Sequence, residues 1–258
     1  MIKGVLLDLS GTLHLGDTPI PGAVQAIQRL EGAGLLVRFV TNTSRKTRQM
    51  LHEDLRRMGF AMPQEHIFTG ALAVRRYLEQ HRLRPFLLVH ENLVAEFDGL
   101  VRDDPDAVVV GYAEDGFTFR NMNQAFRHLK AGAQLIATGR TRYFEGTEGL
   151  TLDAGPYIAA LEYAAETNAL VLGKPSSDFF AAAAAELGLS PSECIMVGDD
   201  AEADVAAAIK AGLQGILVQT GKYRQGDEAK IPGGAVLAKD IGAAVEEILK
   251  GAPRQGNS

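Results

Sequence analysis

Short apolar runs alternate with amphipathic stretches along most of the chain. The first run, Gly4 to Leu7, ends at Asp8 and a turn-forming Ser-Gly pair, which is typical of a buried strand that ends at a polar edge. A segment with apolar residues at helical spacing follows, and then the run LLVRFVTNT and a second amphipathic segment. The same order returns near the C-terminus, from SDFFAAAAAELGLS to DIGAAVEEILKG. Strands that alternate with helices predict βαβ units and an α/β fold with a mainly parallel sheet.

The middle of the chain has apolar strands and helical segments of its own. The predicted strands lie in RPFLLVHE, DAVVVGYA and QLIATG, and a helix is expected in GPYIAALEYAAET. We therefore predict a core formed by residues 1–81 and 172–258, with a smaller α/β domain inserted at residues 82–171. The final APRQGNS is predicted to be disordered.

Composition and charge narrow the classes of function. The 258 residues are 46% hydrophobic, enough for one large or two moderate domains. The net charge of −6 argues against a surface for nucleic acids or anionic membranes. No apolar run approaches the length of a membrane span and the chain enters a strand directly, so a cytoplasmic protein without a membrane partner is expected. Cys194, the one cysteine, lies in an apolar strand and is expected to be a buried structural thiol.

Polar residues follow several of the predicted strands. Asp8 ends the first strand, Thr41 and Asn42 end the second, and Asp199 begins an acidic pair after a late strand. Parallel sheets place ligand sites outside the carboxyl ends of their strands, so these residues are expected to converge. The histidines show no metal-ligand spacing, so a bound metal is expected to have oxygen ligands.

Five short motifs occur along the chain in this order: DLSGTLH, RFVTNT, GKPS, MVGDD and TGKYR. With them the chain resembles the haloacid dehalogenase superfamily, subclass IIA, whose members have a Rossmann-like parallel-sheet core and an inserted α/β cap of the C2 type. The resemblance implies a phosphatase with Asp8 as the nucleophile, an aspartyl-phosphate intermediate and Lys174 as the neutralising cation. It also implies a small phosphorylated substrate, or a phosphorylated side chain, and leaves open a homodimer formed through the cap.

The same resemblance implies a set of site residues. Substrate contacts are expected from Asp8, Leu9, Ser10, Thr41, Asn42 and Lys174. A Mg²⁺ ion is expected on Asp8, the backbone carbonyl of Ser10 and Asp199, while Asp204 is expected to orient Lys174. Residues Arg140, Arg142 and Tyr143 match the segment through which this type of cap contacts substrate, whereas Arg45, Lys46 and Arg48 are interpreted as a solvated helix face.

Ser10 departs from the family pattern, in which a second Asp stands two residues after the nucleophile. That Asp protonates the leaving group and later activates water. A hydroxyl does neither near neutral pH, and general acid-base catalysis contributes about 10²–10⁴-fold. The sequence therefore favours substrates with good leaving groups, such as phosphoramidates, pyrophosphate and aryl or acyl phosphates. His14 is interpreted as a turn residue rather than a replacement base.

Two other interpretations remain to be compared with this one. A phosphate- and metal-binding interaction protein could have lost turnover through Ser10. A two-component receiver also carries an acid, a Thr and a Lys at strand ends, but it has no room for the long insertion before Lys174.

Overall fold

The computed structural model describes residues 1–146, 149–231, 233 and 236–251. The chain divides into two compact units. The first comprises residues 1–41 and 51–68 and the chain from residue 175 onward, and the second comprises residues 42–50 and 69–174. The predicted disordered tail, APRQGNS, lies outside the described residues.

The first unit is built on a parallel sheet. Its elements are β1 (Gly4–Asp8), the short strands β2 (His14–Leu15) and β3 (Thr18–Pro19), α1 (Ala23–Gly32), β4 (Leu36–Thr41), α2 (Arg48–Arg57), β5 (Ile67–Thr69), and the later elements given below. Within the described residues, six strands form the sheet in the order β14-β13-β12-β1-β4-β5, where β12 is Cys194–Gly198, β13 is Gln214–Val218 and β14 is Val236–Ala238. The central strand β1 pairs in parallel with β4 on one side and β12 on the other. The carboxyl ends of these three strands therefore lie at the same edge of the sheet.

One face of this sheet forms a large apolar core. Val5 and Leu7 alternate with Leu6 along β1, so they point to the same face, where they join Ile27 and Leu30 of α1. The helix at the end of the chain contributes to the same cluster. All five residues of β1 are buried, which explains why the strand is a continuous apolar run up to Asp8.

The second unit has a smaller parallel sheet. It contains α3 (Gly70–His81), β6 (Pro85–Leu88), β7 (Ala107–Val110), α4 (Phe119–Lys130), β8 (Gln134–Ala137), β9 (Tyr143–Gly146), β10 (Gly149–Leu152), α5 (Ala154–Ala165) and β11 (Leu170–Val171). In the described part of this unit the sheet order is β11-β8-β7-β6. Val108 faces a cluster that includes Ile158 of α5, and Val109 faces a cluster that includes Val74 and Leu78 of α3.

Helix α3 differs from the sequence-based division of the chain. The prediction assigned residues 69–81 to the core, whereas the structure groups them with residues 82–174. The physical reason is that α3 buries Ala71, Val74 and Leu78 against the smaller sheet. A helix pattern alone does not indicate which sheet its apolar face will cover.

The remaining elements complete the first unit. They are α6 (Ser177–Ala185), β12 (Cys194–Gly198), a π-helical segment (Ala201–Ala206), α7 (Ala207–Lys210), β13 (Gln214–Val218), β14 (Val236–Ala238) and α8 (Ile241–Gly251). Cys194 is buried as predicted, and burial raises the pKa of its thiol to about 11. The mixed α/β class with parallel sheets predicted from the sequence is confirmed. Among the described helices, none combines the length and the apolar character needed to cross a bilayer.

The sequence pattern did not indicate the shortest elements. The antiparallel pairs β2–β3 and β9–β10 have strands of two and four residues, too short for a clear alternation. The segment AEADVAAAIKAGL after β12 has the pattern of a single helix, but its first six residues are π-helical.

Candidate active site

Two aspartates lie at the carboxyl ends of adjacent strands in the first unit. Asp8 is the last residue of β1, and Asp199 directly follows β12. The register pairs Leu7 with Val197, so both carboxylates come at the same edge of the sheet. Both residues are nearly fully buried, with exposed fractions of 6% and 2%. The structure thus brings together these two residues that the sequence predicted to converge.

A third carboxylate joins them from the π-helical segment. Asp204 is buried, and one carboxylate oxygen from each of Asp8, Asp199 and Asp204 lies within 4.8 Å of the other two. The segment is held at its start by Asp200, whose side chain accepts hydrogen bonds from the backbone N–H groups of Glu202 and Ala203 at 3.1 and 2.9 Å. The wider π-helical turn places Asp204 beside the strand ends.

Gly198 provides the space that Asp204 needs. A Cβ atom at Gly198 would lie 2.4 Å from the Cβ of Asp204. A larger residue would therefore displace the third carboxylate, which gives a physical reason for glycine before Asp199.

The three carboxylates alter the acidity of Asp199. Burial raises its pKa most, and the negative charges of Asp8 and Asp204 raise it further, to about 8. The backbone N–H of Lys222 donates to Asp199 Oδ2 at 2.7 Å and acts in the opposite direction. A divalent cation with oxygen ligands would remove this repulsion, so Asp8, Asp199 and Asp204 could hold such an ion.

Thr41 lies next to this edge of the same sheet. It is the buried last residue of β4, one residue beyond Val40, which is in register with Asp8. Its position therefore agrees with the strand-end convergence predicted from the sequence.

The turn after β1 is compact. Leu9 is buried, and its carbonyl accepts the backbone N–H of Leu13 at 2.8 Å, while Gly11 N–H donates to the carbonyl of His14 at 2.8 Å. Ser10 is exposed and forms an isolated β-bridge with His14. His14 is the first residue of β2 rather than a turn residue, and its Nδ1 lies 2.7 Å from the carbonyl oxygen of Gly16.

Asn42 and Lys174 form a pair in the second unit. Asn42 Nδ2 donates to the carbonyl of Lys174 at 2.6 Å, and Asn42 Oδ1 accepts the backbone N–H of Lys174 at 2.8 Å. The sequence predicts that Asn42 contacts substrate. In the structure its amide holds the backbone of Lys174, a residue that is itself 5% exposed.

Glycines pack closely around the Asn42–Lys174 pair. A Cβ at Gly173 would lie 1.9 Å from the carbonyl oxygen of Thr138 and 2.7 Å from Asn42 Oδ1, and a Cβ at Gly139 would lie 2.8 Å from Asn42 Nδ2. A side chain at Gly139 or Gly173 would therefore collide with the Asn42 amide.

Two of the basic residues considered in the sequence, Arg45 and Arg140, have acidic partners within the second unit. Arg45 forms an ion pair with Glu114 at 2.7 Å, and its guanidinium lies over the rings of Tyr112 and Phe144 at 5.0 and 5.4 Å. Arg140 is not aimed at a free anion, because both of its terminal nitrogens donate to Glu162, at 2.9 and 2.6 Å. Arg142 and Tyr143 are exposed.

Sequence reasoning missed two groups at the site. In the segment Thr220–Lys222, the Thr220 hydroxyl donates to the carbonyl of Gly11 and the Lys222 N–H donates to Asp199. The sequence indicated this segment only as part of the family motif TGKYR. The hydroxyl of Thr12 is buried and has no hydrogen-bond partner among the described residues. In the sequence, the only signal for the segment Thr220–Lys222 is the glycine at position 221, within the motif TGKYR.

Two family models match the chain. Residues 5–100 match the model described as haloacid dehalogenase-like hydrolase, and residues 171–244 match the model described as HAD-hydrolase-like. The human haloacid dehalogenase-like hydrolase domain-containing protein 2 is 46% identical over 250 residues, covering 96% of each chain. The phospholysine phosphohistidine inorganic pyrophosphate phosphatase of Danio rerio is 44% identical over 255 residues, covering 96% of this chain and 94% of that protein.

Solved structures of phosphatases have a similar fold. The p-nitrophenyl phosphatase of Archaeoglobus fulgidus has a TM-score of 0.89 and 27% identity, covering 95% of this chain and 99% of that one. A glycerol phosphate phosphatase from Mycobacterium tuberculosis, solved in complex with magnesium, has a TM-score of 0.83 and 26% identity, covering 93% and 76%. The chain belongs to the haloacid dehalogenase-like hydrolases.

Proposed function

We propose that this haloacid dehalogenase-like hydrolase is a magnesium-dependent phosphohydrolase that forms an aspartyl-phosphate on Asp8 and prefers substrates with good leaving groups. The observation that carries the proposal is the buried cluster of Asp8, Asp199 and Asp204 at the carboxyl edge of the sheet. Phosphatase activity is also supported by family membership and by relatives named as phosphatases.

The donor set fits magnesium. Mg²⁺ is a hard cation that takes oxygen ligands in octahedral geometry and keeps several waters. In the proposal Asp8, Asp199 and the backbone carbonyl of Ser10 would hold it. When bound, the ion supplies positive charge that reduces repulsion between a carboxylate nucleophile and an anionic phosphoryl group.

Asp204 shares the cluster but has a different proposed role. Its side chain also accepts the backbone N–H of Asp200 at 3.3 Å, and we assign it to the positioning of Lys174. A double-mutant cycle of Asp204→Asn with Lys174→Ala tests this assignment, because a residue that acts through Lys174 should cost little further activity once Lys174 is absent.

The proposed reaction has two displacements. A carboxylate oxygen of Asp8 attacks phosphorus while the bond from phosphorus to the leaving nitrogen or oxygen breaks, and the leaving group takes the bonding electron pair. Water then attacks the phosphorus of the aspartyl-phosphate, and inorganic phosphate leaves as the Asp8 carboxylate is restored. Covalent catalysis of this kind replaces one difficult step by two easier ones.

Three residues are proposed to hold the phosphoryl group. Thr41 supplies its hydroxyl, Asn42 its backbone N–H, and Lys174 its ammonium, which stabilises the negative charge in the transition state. The side-chain amide of Asn42 is assigned a supporting role instead, since both its oxygen and its nitrogen bind the backbone of Lys174.

Ser10 sets the proposed substrate range. Its hydroxyl cannot protonate a leaving group efficiently near neutral pH, so alkyl phosphates should react slowly. Phosphoramidates, pyrophosphate, and aryl or acyl phosphates depend less on such an acid. This reasoning favours P–N and P–O–P bonds over unactivated esters.

The test compares substrate classes in the presence of magnesium. Phosphate release is measured from phosphohistidine, pyrophosphate, an aryl phosphate and an alkyl phosphate, with wild type, with Asp8→Asn, and with EDTA. We expect turnover of the activated substrates that requires Mg²⁺ and is lost in Asp8→Asn. A wild-type protein that binds Mg²⁺ and phosphate but releases no product from any substrate would favour a binding protein instead.

A further inference from the structure

We propose that the segment Thr220–Lys222 is a positioning element that leaves Asp199 one oxygen for metal binding and thereby favours Mg²⁺ over Ca²⁺. The inference rests on the proposed function, since it takes Asp199 as a metal ligand. The proposed phosphoryl-transfer steps do not involve Thr220, Gly221 or Lys222 directly.

A backbone donor occupies one oxygen of Asp199. The N–H of Lys222 donates to Asp199 Oδ2 at 2.7 Å. The ammonium of Lys222 pairs with Asp200 Oδ2 at 3.4 Å and acts on Asp199 through its positive charge, whereas the hydrogen bond to Asp199 is formed by the backbone. The contact to Asp199 is therefore made by the backbone and depends on the conformation of the loop.

Gly221 allows the loop to approach Asp199. Its φ of 59° lies in the left-handed region, and a Cβ there would lie 2.1 Å from Asp199 Oδ2 and 2.5 Å from the Cα of Gly11. Both contacts are far below van der Waals distance. Any side chain at position 221 would push the loop away from Asp199 or rotate the carboxylate.

Gly11 encloses the same oxygen from another direction. A Cβ at Gly11 would lie 2.0 Å from Asp199 Oδ2 but 3.0 Å from Oδ1. The hydroxyl of Thr220 donates to the carbonyl of Gly11, which ties the loop to the turn after β1. Oδ2 thus accepts one N–H and lies against two glycines, so we assign Oδ1 as the oxygen that binds the metal.

This arrangement opposes bidentate ligation by Asp199. Ca²⁺ takes six to eight oxygen ligands in flexible geometry and often uses both oxygens of a carboxylate, whereas Mg²⁺ accepts an octahedral set with single oxygens and waters. A carboxylate held by one oxygen therefore suits the smaller ion. Freeing Asp199 should weaken Mg²⁺ binding and make the site less selective.

The test measures metal binding without substrate. MgCl₂ and CaCl₂ are each titrated into the metal-free protein by isothermal titration calorimetry, using wild type, Gly221→Ala and Gly226→Ala. Gly226 is the matched control, since its φ of 97° also disfavours alanine but no atom lies within 4 Å of the added Cβ. Circular dichroism verifies that each variant is folded.

We expect Gly221→Ala to weaken Mg²⁺ binding by about 10- to 100-fold, the usual effect of losing a group that orients a ligand. Binding of Ca²⁺ should change less, so the ratio of the two dissociation constants moves towards one. Gly226→Ala should retain wild-type values for both ions. Equal metal affinities in the two variants would overturn the inference.

A second pair of variants decides the matter if Gly221→Ala does not fold. Thr220→Val keeps the shape of the side chain but removes its bond to Gly11, and the matched control Thr151→Val removes a hydroxyl that donates to the carbonyl of Gly149 at 3.2 Å. Only Thr220→Val should weaken Mg²⁺ binding. Equal Mg²⁺ binding in both valine variants would contradict the proposal.

An Asp199→Ala variant distinguishes failure of the proposed metal site from failure of the positioning role alone. If Mg²⁺ binding survives in Asp199→Ala, the metal site of the proposed function is wrong. If binding is lost there but Gly221→Ala and Thr220→Val bind like wild type, the metal site stands and only the positioning role fails.

Discussion

The side-chain amide of Asn42 forms two hydrogen bonds to the backbone of Lys174, at 2.6 Å to its carbonyl and at 2.8 Å from its N–H. The two residues are 132 positions apart in the sequence. One planar amide thus satisfies both backbone groups of a single buried residue and fixes where the Lys174 side chain begins. If Lys174 stabilises the transition state, Asn42 influences catalysis through it.

We therefore expect Asn42→Ala to lower kcat/KM for an activated phosphate by about 10- to 100-fold, the equivalent of about 1.4–3 kcal/mol of transition-state stabilisation. Two hydrogen bonds to a buried backbone are lost, and Lys174 gains freedom to move. Asn121→Ala is the control, because it removes another amide bond to a backbone carbonyl, at 2.9 Å to Gly116, in the same unit.

A double-mutant cycle distinguishes positioning from general stability. In a Lys174→Ala background, the further change Asn42→Ala should cost little activity, since the group that it positions is already absent. Independent, additive losses in the two variants would show that Asn42 does not act through Lys174. Unfolding by urea measures any common loss of stability.

Much of the first unit could be predicted because its signals are local. The apolar runs that end in Asp8 and Asp199 show two buried strands, and the rule for parallel sheets then brings both acids to one edge. No knowledge of side-chain packing is needed for that step.

The role of the Asn42 side chain could not be obtained in this way. An amide after a strand can bind a ligand, cap a helix or bind distant backbone, and these alternatives differ only in the tertiary positions of its partners. The contact from Lys222 N–H to Asp199 is equally hidden, because every residue type except proline offers a backbone N–H.

Gly173→Ala should destabilise the protein and disturb Lys174. The added Cβ would lie 1.9 Å from the carbonyl oxygen of Thr138, a backbone atom that cannot rotate away. We expect a loss of about 1–3 kcal/mol in the free energy of unfolding, as for other overpacked sites, together with reduced kcat. Gly32→Ala, at an exposed position with nothing within 4 Å of the new Cβ, should change stability by less than about 0.5 kcal/mol.

Without metal, the contribution of Asp199 to stability should fall as pH rises from about 4 to about 8. Asp199 has a pKa of about 8 in the folded protein against 3.8 for its ordinary value, so between these limits the folded state holds a proton that the unfolded state has lost. Unfolding free energy then decreases with pH, with a slope from this one group of up to about 1.4 kcal/mol per unit.

Urea unfolding at several pH values, in EDTA, tests this sign. The slope should be flatter in Asp199→Asn, which cannot ionise, and Mg²⁺ should raise the stability of wild type most at the upper end of the range, where Asp199 is charged. Parallel profiles for wild type and Asp199→Asn would contradict the raised pKa.

Ser10→Asp should change which substrates the protein prefers. Ser10 is exposed and its backbone is fixed by the bridge to His14, so a carboxyl side chain has room without displacing the turn. The new carboxyl group would supply the proton donor that the family pattern has at this position. A proton donor matters most when the leaving group is poor, as in an alkyl phosphate, and least for a phosphoramidate or an aryl phosphate. We expect kcat/KM for the alkyl phosphate to rise more than for the activated substrates, with a ceiling near the 10²–10⁴-fold range of acid-base catalysis.

Both substrate classes are measured at equal Mg²⁺ concentration, with Ser10→Asn as the control of similar size that cannot donate a proton from a carboxyl group. A folded Ser10→Asp protein that gains no more than Ser10→Asn on the alkyl phosphate would mean that the missing acid is not what limits the substrate range.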